Sequence, residues 1–420
     1  MRVHLDYGTD GLAVDVPDDR VTIIEPVARP ALADPCGALL AALRAPIGRP
    51  PLRDAVRAGQ TVAISVCDIT RAQPRRETLD AIFEELPHVS PDLVTILIAT
   101  GTHRTNTPAE IERMLGPDIA GRYRVVNHDS RDRASLVFVG TTSSGVPVWM
   151  NRVFMAADVR ITTGFVEPHF FAGFSGGPKM VAPGLAGLET VLVLHDAARI
   201  GHPNATWGVV EGNPIHDDVR EIARMVGVGF SVDVTLNRSQ QITAVFAGDL
   251  FDEHRAACDA ARRTAMQPVD APFDVVLTTN SGFPLDQNLY QAVKGMSAAA
   301  KVVKPGGAIV CVAQCCDGLP AHGSYGDILA SQPSPSHLLA MIKSPGYSVP
   351  DQWQVQIQAQ VQLKARVLVK SALTGDAVRA AHFEPIDDVA ATVRELLRTA
   401  NQPATLCVLP QGPQTIPYLR

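Results

Sequence analysis

The sequence predicts an α/β protein with two α/β domains and mostly parallel sheets, and three observations support this fold class. Short apolar runs rich in β-branched residues recur without polar alternation, which is typical of strands buried on both faces of a parallel sheet. Segments with helical patterns and clear capping residues lie between these runs. The 420 residues are enough for more than one hydrophobic core. Because ligands bind at the C-terminal ends of strands in such folds, we expect the active site there, in the cleft between the domains.

The predicted elements follow one another along the chain. A helix is expected over 107–116, because Thr107 is a good N-cap, Pro108 takes the first helical position and Glu110 completes a capping box. A second helix is expected over 288–303, since Pro and Gly residues follow it. The predicted strands are TVAISV at 61–66, LVTILIAT at 93–100, DVRITTG at 158–164, DVVLTTN at 274–280, AIVCVA at 308–313 and RVLVKSA at 366–372.

Proline and alanine residues mark the expected domain boundaries. The segment MQPVDAPF at 266–273 interrupts the pattern before a new strand begins, and NQPA at 401–404 forms a second break. We therefore predict an N-terminal α/β domain over 1–268 and a C-terminal α/β domain over 269–404. The closing residues, 405–420, are expected to return to the N-terminal domain.

Composition and charge exclude several classes of protein. The formal net charge of −6 argues against general nucleic-acid binding, which needs a concentrated basic surface. No uncharged apolar run reaches the roughly 18 residues of a membrane helix, and the N-terminus lacks the apolar core of a signal peptide. The seven cysteines include no CxxC pair, which is typical of a protein with reduced thiols. We therefore expect a cytoplasmic enzyme that binds neither nucleic acid nor a membrane.

Reactive side chains recur just after the predicted strands. Parallel strands bring their C-terminal ends to one edge of a sheet, so these residues are candidates for a common site. Each of these residues also has a purely structural interpretation when it is considered alone. Arg71 is equally well explained by a salt bridge with a nearby carboxylate, His103 is explained by a capping role, and Lys294 by a position on the solvated face of a helix. The candidates are Asp68, Thr70, Arg71, His103, His169, Lys179, Tyr290, Gln291 and Lys294, whereas His128, His202, His216, His322 and Asp196 are interpreted as structural.

The most unusual segment is GFVEPHFFAGFSGGPKMVAPG at 164–184, which combines five glycines, three prolines and four phenylalanines with a histidine and a lysine. A glycine-rich loop ending in lysine suggests a phosphate-binding loop. That motif requires Gly directly before the lysine and Ser or Thr directly after it. Pro178 and Met180 stand there instead, so Lys179 is expected to serve another purpose.

Taken together, the motifs resemble those of the lactate racemase family, and the similarity covers essentially the whole chain. One departure is Ala72, where the family often has proline, which affects the expected rigidity of that loop. The segments that carry the resemblance are DITRAQP at 68–74, GTHR at 101–104, EPHFFAGFSGGPKMVAPG at 167–184, His195 sixteen residues after Lys179, LYQAVKG at 289–295 and DQWQVQ at 351–356.

The resemblance implies a nickel-pincer nucleotide, a pyridinium-3-thioamide-5-thiocarboxylic acid mononucleotide that carries nickel, in the N-terminal domain. Lys179 would hold this cofactor covalently through a thioamide, and His195 would be the protein ligand of the nickel. Gly176 and Gly177 would let the backbone approach the flat cofactor. Soft sulfur ligands with an imidazole suit nickel in square-planar geometry.

The resemblance also implies a racemase or epimerase of a 2-hydroxy acid that works by proton-coupled hydride transfer. His103 and His169 would be the acid–base pair, since an imidazole suits both directions near neutral pH. The planar guanidinium of Arg71 would bind the substrate carboxylate. Further implied contacts are Tyr290, Gln291 and Lys294 with substrate, Trp353 with the pocket, and Asp68 and Thr70 with the cofactor or with Arg71.

The implied partners are a small 2-hydroxy acid and the enzymes that synthesise and load the cofactor. The substrate's side chain is expected to contact residues 283–290 and 314–325, and these residues do not decide between lactate and a longer acid. A zinc-dependent hydrolase or lyase that uses the same histidines is the main alternative, although the chain has no HExxH motif. A protein that only binds a hydroxy acid is a third interpretation.

Overall fold

A computed structural model describes residues 1–320, 323–400 and 403–420. Of the features discussed above, His322 and the first residues of the 401–404 segment lie outside these ranges. The strands are β1 (Arg2–Leu5), β2 (Leu12–Asp15), β3 (Val21–Ile23), β4 (Val62–Cys67), β5 (Val94–Ala99), β6 (Arg124–Asn127), β7 (Leu136–Thr141), β8 (Pro147–Asn151), β9 (Val159–Phe165), β10 (Pro168–His169), β11 (Gly173–Phe174), β12 (Phe230–Leu236), β13 (Ile242–Gly248), β14 (Met266–Val269), β15 (Phe273–Thr279), β16 (Val303–Val312), β17 (Arg366–Lys370), β18 (Glu384–Pro385), β19 (Leu406–Leu409) and β20 (Ile416–Leu419).

Helices connect most of these strands, as expected for parallel pairing. They are α1 (Pro35–Arg44), α2 (Leu52–Ala55), α3 (Arg75–Glu85), α4 (Pro108–Leu115), α5 (Pro117–Arg122), α6 (Arg152–Ala156), α7 (Leu188–Leu194), α8 (Ala197–Ile200), α9 (Pro214–Val226), α10 (Leu250–Ala265), α11 (Leu289–Ala299), α12 (Tyr325–Ala330), α13 (Pro335–Ile342), α14 (Gln352–Lys364), α15 (Gly375–Ala380) and α16 (Val389–Thr399). Short 3-10 turns cover Pro91–Leu93, Arg133–Ser135 and Gly177–Met180.

The chain divides into two compact units that are not continuous in sequence. The N-terminal unit consists of Ala28–His195 and Gly208–Arg262. The C-terminal unit consists of Met1–Val27, Asp196–Trp207 and Arg263–Arg420.

The N-terminal unit is built on a sheet of strand order β13–β12–β9–β4–β5–β6. All neighbours in this sheet are parallel except β12 and β13, which form an antiparallel pair. Every residue of β4 is buried, as expected for a central strand covered on both faces. The core packs α1, α2 and α3 against the sheet, with Leu39, Leu52, Ile64, Leu79 and Ile96 among its fully buried side chains.

The C-terminal unit contains an all-parallel sheet of strand order β18–β17–β16–β15–β19–β3. Its core includes Val275, Leu277 and Val310 from the central strands and Val393 from α16. The hairpin of β1 and β2 contributes Leu5 to the same core. Mostly parallel sheets with connecting helices confirm the predicted α/β fold class.

The division into units differs from the predicted domain boundaries at both ends of the chain. Residues 1–27 belong to the C-terminal unit, because β3 pairs with β19 and extends its sheet. Residues 405–420 stay in that unit and do not return to the N-terminal one, since β19 pairs with β15 and β20 pairs with β14. These parallel pairings join segments far apart in sequence, so local patterns do not reveal them.

The local predictions agree with the structure except at one helix end. Each predicted strand is present within a few residues of the expected position, and α4 carries the capping box of Thr107 and Glu110. The helix expected over 288–303 ends at Ala299, because β16 already begins at Val303, opposite Phe273. In the part of the chain that the structure describes, no helix is long and apolar enough to cross a membrane.

Candidate functional site

Three neighbouring strands of the N-terminal unit bring predicted site residues to one edge of its sheet. The strands β9, β4 and β5 are adjacent and parallel, so their C-terminal ends lie side by side. Asp68 directly follows β4, His103 follows β5, and the glycine-rich loop follows β9. The Gly101 amide donates to the Gly184 carbonyl at 3.0 Å, which joins the second and third of these segments. Strand order therefore assembles residues that are far apart in sequence.

Asp68 and His103 form a close pair in this site. The Asp68 Oδ2 lies 2.6 Å from His103 Nδ1, and Asp68 Oδ1 accepts from the Thr70 hydroxyl at 2.7 Å. Burial alone would raise the pKa of Asp68, but the hydrogen bond and charge of His103 outweigh it and lower the pKa to about 2. The charge of Arg71 and the Thr70 hydroxyl act in the same direction. Because an ionised Asp68 can only accept, Nδ1 of His103 carries the hydrogen and Nε2 is the basic nitrogen of the neutral ring.

The loop that carries Arg71 is held by Arg75, the residue that directly follows the DITRAQP segment. The Arg75 guanidinium is buried and donates to the carbonyls of Cys67 and Arg71, each at 2.7 Å, and to that of Asp68. Arg71 itself reaches the Thr70 hydroxyl at 3.2 Å. The loop is thus fixed by several charge-assisted bonds, although Ala72 replaces the proline expected from the family resemblance.

His169 lies in the short hairpin of β10 and β11. Its Nδ1 accepts from the backbone N–H groups of Ala172 at 3.2 Å and Phe171 at 3.5 Å. Those donors leave the ring hydrogen of neutral His169 on Nε2. The rings of Phe170 and Phe171 lie 4.9 and 4.5 Å from the imidazole and limit its rotation. These contacts thus favour opposite tautomers of the two neutral rings, with a basic Nε2 on His103 and an Nε2–H on His169.

Lys179 and His195 contact the same aromatic ring. The Lys179 Nζ lies 5.9 Å from the centroid of Phe171, and the His195 ring lies 4.9 Å from it, edge to face. His195 follows the last residue of α7 and is buried, at 6% exposure. Burial and then the Lys179 charge lower the pKa of His195 to about 3, so its imidazole is neutral at physiological pH.

Gly176 and Gly177 form the tight turn that precedes Lys179. Both have positive φ values, 71° and 47°, which favour glycine. A Cβ atom at Gly177 would lie 2.4 Å from the ring of His254, so a side chain cannot be accommodated. These glycines allow the backbone to pass close to α10 and direct the chain into the 3-10 turn that contains Lys179.

Two buried carboxyl groups support this turn, and neither was predicted from the sequence. Asp233 of β12 accepts from the Gly177 amide at 2.7 Å, and Glu253 of α10 interacts with Asp233. Both side chains have 0% exposure. Burial raises the pKa of both carboxyls, and for Glu253 the charge of Asp233 adds to this effect. Their positions in unremarkable strand and helix patterns give no sequence signal.

The carboxyl pair should make the stability of the protein depend on pH. Since burial raises both pKa values, the folded protein binds more protons than the unfolded chain. Stability is therefore lost as the pH rises from about 4, where unfolded carboxyls ionise, through the folded-state pKa values. We expect Glu253→Gln to reduce this loss, because the glutamine side chain does not ionise. The measurement is the free energy of unfolding by denaturant at about pH 5 and about pH 8. The control is Glu77→Gln, because Glu77 is an exposed carboxylate on α3. An equal pH dependence in wild type and Glu253→Gln would contradict the expectation.

The remaining predicted residues lie on α11 of the C-terminal unit. Asn288 caps this helix by accepting from the Gln291 amide at 3.0 Å. Tyr290 is held by Trp353, whose Nε1 lies 3.3 Å from the phenol oxygen, and it packs edge to face on Tyr325. Tyr290, Gln291 and Lys294 are each half-buried, and the structure places them in a different unit from His103 and Lys179. The 314–325 segment expected to contact the substrate's side chain includes residues outside the described ranges.

Within residues 1–320, 323–400 and 403–420 no group of three or more His, Cys, Asp or Glu side chains is arranged to hold a metal ion.

Comparison with known proteins identifies the family of this chain. Residues 7–208 match the lactate racemase N-terminal domain family, and residues 269–416 match the lactate racemase C-terminal domain family. The chain is 34% identical over 429 aligned positions to the lactate racemase of Thermoanaerobacterium thermosaccharolyticum, covering 99% of this chain and 98% of that protein. It is 35% identical over 371 positions to the lactate racemase of Lactiplantibacillus plantarum, covering 87% of each.

Solved structures give the same result. The structure of the lactate racemase apoprotein from Thermoanaerobacterium thermosaccharolyticum superposes with a TM-score of 0.92 at 32% identity, covering all of both chains. A protein from Thermotoga maritima has a TM-score of 0.69 at 18% identity, covering 92% of this chain and 98% of that one, and shares the fold. The chain therefore belongs to the lactate racemase family and is an isomerase.

Proposed function

We propose that this protein racemises or epimerises a 2-hydroxy acid with a nickel-pincer nucleotide carried on Lys179. The observation that carries the proposal is the placement of Lys179 and a buried, neutral His195 against the same Phe171 ring. The lactate racemase name of its relatives supports a 2-hydroxy acid as the substrate class. The acid–base residues at the ends of β5 and β9 supply the groups that the reaction requires.

The residues around Lys179 fit this cofactor chemically. A lysine amine can form the thioamide anchor, and a neutral imidazole is the form of histidine that binds a metal. His195 meets the second condition because burial lowers its pKa to about 3. When bound, the cofactor would supply a hydride acceptor and donor for the carbon that carries the substrate hydroxyl. The aromatic rings of Phe170 and Phe171 keep this region apolar, which favours exclusion of water.

His103 and His169 are proposed to exchange the proton of the substrate hydroxyl. When His103 is neutral, its Nε2 accepts this proton from one enantiomer, and Asp68 holds the ring through Nδ1. His169 then returns a proton as a cation, and for the other enantiomer it accepts the hydroxyl proton at Nε2 with its ring hydrogen on Nδ1. Both forms of His169 require the backbone N–H donors at Nδ1 to be given up, and at 3.2 and 3.5 Å these are long hydrogen bonds.

Arg71 is proposed to bind the substrate carboxylate, with Tyr290, Gln291 and Lys294 as further substrate contacts. A guanidinium binds a carboxylate through two parallel N–H groups, which fixes the orientation of the acid. The proposal includes cofactor-synthesis enzymes as partners that load Lys179. The free cysteines, which include Cys67, Cys258 and Cys311, agree with the expected cytoplasmic location.

Replacing Arg71 by lysine should weaken turnover although the charge is kept. A single ammonium cannot reproduce the two-point contact, and one charge-assisted hydrogen bond contributes roughly 1.5–3 kcal/mol, or roughly tenfold to a hundredfold in kcat/KM. The measurement is kcat/KM for the loaded variant with both enantiomers of each accepted acid. An unchanged kcat/KM would remove Arg71 from the carboxylate role.

The proposed function is tested with protein produced together with the cofactor-synthesis enzymes. One enantiomer of lactate, or of a longer or aromatic 2-hydroxy acid, is incubated with it, and chiral chromatography follows formation of the other. Intact mass and nickel content are measured on the same sample. Substrate deuterated at C2 should keep its label after inversion in ordinary water. Inversion of no acid by nickel-loaded protein, or extensive loss of the label, would refute the proposal.

A further inference from the structure

The loop between His169 and Lys179 is held by side chains that lie outside every motif discussed above. We call residues 170–177 the anchor loop. Its backbone groups are bonded to side chains from α9, β12, α10 and the residue before α9, all within the N-terminal unit. The Phe171 carbonyl accepts from Asn213 at 2.9 Å, the Ala172 carbonyl from His216 at 3.0 Å and the Ser175 carbonyl from His254 at 2.9 Å, while the Gly177 amide donates to Asp233 at 2.7 Å.

The two histidines in this set are buried and neutral. His216 and His254 are 1% and 3% exposed, and their rings stack with centroids 5.8 Å apart. Burial is the largest cause that lowers the pKa of His216 to about 3 and that of His254 to about 4. A carbonyl oxygen only accepts, so the single ring hydrogen lies on Nδ1 of His216 and on Nε2 of His254. Each ring therefore has one defined donor, aimed at one carbonyl of the anchor loop.

These bonds reach both ends of the anchor loop. Ala172, whose carbonyl is held by His216, donates its own N–H to Nδ1 of His169 at 3.2 Å. Ser175, whose carbonyl is held by His254, directly precedes the glycine turn that leads into Lys179. The ring of His254 also fills the space that a side chain at Gly177 would occupy. One histidine thus acts on the site of His169 and the other on the turn before Lys179.

We propose that His216 and His254 are positioning residues, which fix the anchor loop so that His169 keeps its ring orientation and Lys179 is presented for modification. Neither residue touches the substrate or the cofactor in this proposal. The roles of His169 and Lys179 rest on the proposed function, whereas the fixing of the anchor loop does not depend on it.

The donor atoms suggest matched substitutions. The amide nitrogen of asparagine can occupy the place of the histidine Nδ1, and that of glutamine the place of Nε2. His216→Asn and His254→Gln therefore keep the donor, whereas His216→Leu and His254→Leu remove it and keep an apolar side chain. His216→Gln, which displaces the donor by one bond, provides a polar variant that tests donor position should the leucine variants fold poorly. His128→Leu is the control, since His128 is also buried and donates to a carbonyl, that of Ala186 at 2.9 Å, away from the anchor loop.

The first measurement is hydrogen–deuterium exchange by mass spectrometry on protein made without the cofactor-synthesis enzymes. In His216→Leu and His254→Leu the peptides that cover 170–177 should exchange roughly tenfold faster, as expected for the loss of a buried hydrogen bond. His216→Asn and His254→Gln should restore protection, and His216→Gln should not. Unchanged exchange of this segment in the leucine and glutamine variants, or the same increase in His128→Leu, would overturn the proposal.

The second measurement is the fraction of protein loaded at Lys179, by intact mass, after production with the synthesis enzymes. We expect loading to fall severalfold in the leucine variants and to recover in His216→Asn and His254→Gln. Full loading of variants whose anchor loop exchanges rapidly would refute the positioning of Lys179. Absence of loading in the wild-type protein would instead refute the proposed function, and the exchange result would still decide whether the histidines hold the loop.

Discussion

Lys179→Ala should lose all covalent cofactor. If Lys179 is the anchor, we expect no other amine to replace it, because its Nζ lies 5.9 Å from the centroid of Phe171, the ring that the buried His195 also contacts. Protein produced with the cofactor-synthesis enzymes should therefore have the mass of the unmodified polypeptide, and the loaded wild type should be heavier by the mass of the cofactor. Lys179→Arg should behave in the same way, since a guanidinium does not form the thioamide.

Two further variants separate the anchor from the metal ligand. Lys294→Ala removes a lysine of the other unit and should load normally. His195→Ala should keep the organic part of the cofactor but hold nickel poorly, which metal analysis of the purified protein measures. A covalent adduct on Lys179→Ala would remove this residue from its role, and full nickel occupancy in His195→Ala would do the same for the histidine.

The elements that could be predicted from the sequence are those with local signals. The strands β4, β5 and β9 are short apolar runs, and the start of α4 is defined by the Thr107 capping box. The candidate residues after these strands could also be named, because their positions at strand ends are visible in the sequence. Their assembly could be expected only in outline, since the order β9–β4–β5 depends on long-range pairing.

The groups that support the site could not be predicted. Asp233 and His254 act on backbone groups of a loop that is distant in sequence, and Arg75 acts on carbonyls of the loop just before it. Such contacts leave no pattern in the sequence. His216 was interpreted as structural, which describes its burial but misses its bond to the anchor loop. The unit boundaries were also missed, because β3 joins β19 across most of the chain. Apart from the bonds of Arg75, the decisive contacts link segments that only the tertiary fold brings together.

His103→Asn and His169→Asn should each lower racemisation by roughly 10²–10⁴-fold, the usual contribution of a positioned acid–base group. Asparagine is chosen because it can preserve the hydrogen bond made at Nδ1 of each ring. At position 103 its amide can still donate to Asp68, and at position 169 its oxygen can still accept from the Ala172 amide. The far edge of the ring with Nε2 is lost while the bond at Nδ1 is kept, so the effect reports mainly the loss of proton exchange with the substrate.

The two directions of the reaction give an internal check on these variants. Enantiomers have equal free energies, so the ratio of the forward and reverse kcat/KM values must stay at unity in any variant that racemises lactate. Loss of either histidine therefore slows both directions equally in kcat/KM, even if that histidine contacts only one enantiomer. The separate kcat and KM values need not change equally for the two enantiomers, so they show which histidine exchanges a proton with which enantiomer. A fully active His103→Asn would show that Asp68 and His103 serve structure alone, and a fully active His169→Asn would show that its Nε2–H never exchanges a proton with substrate.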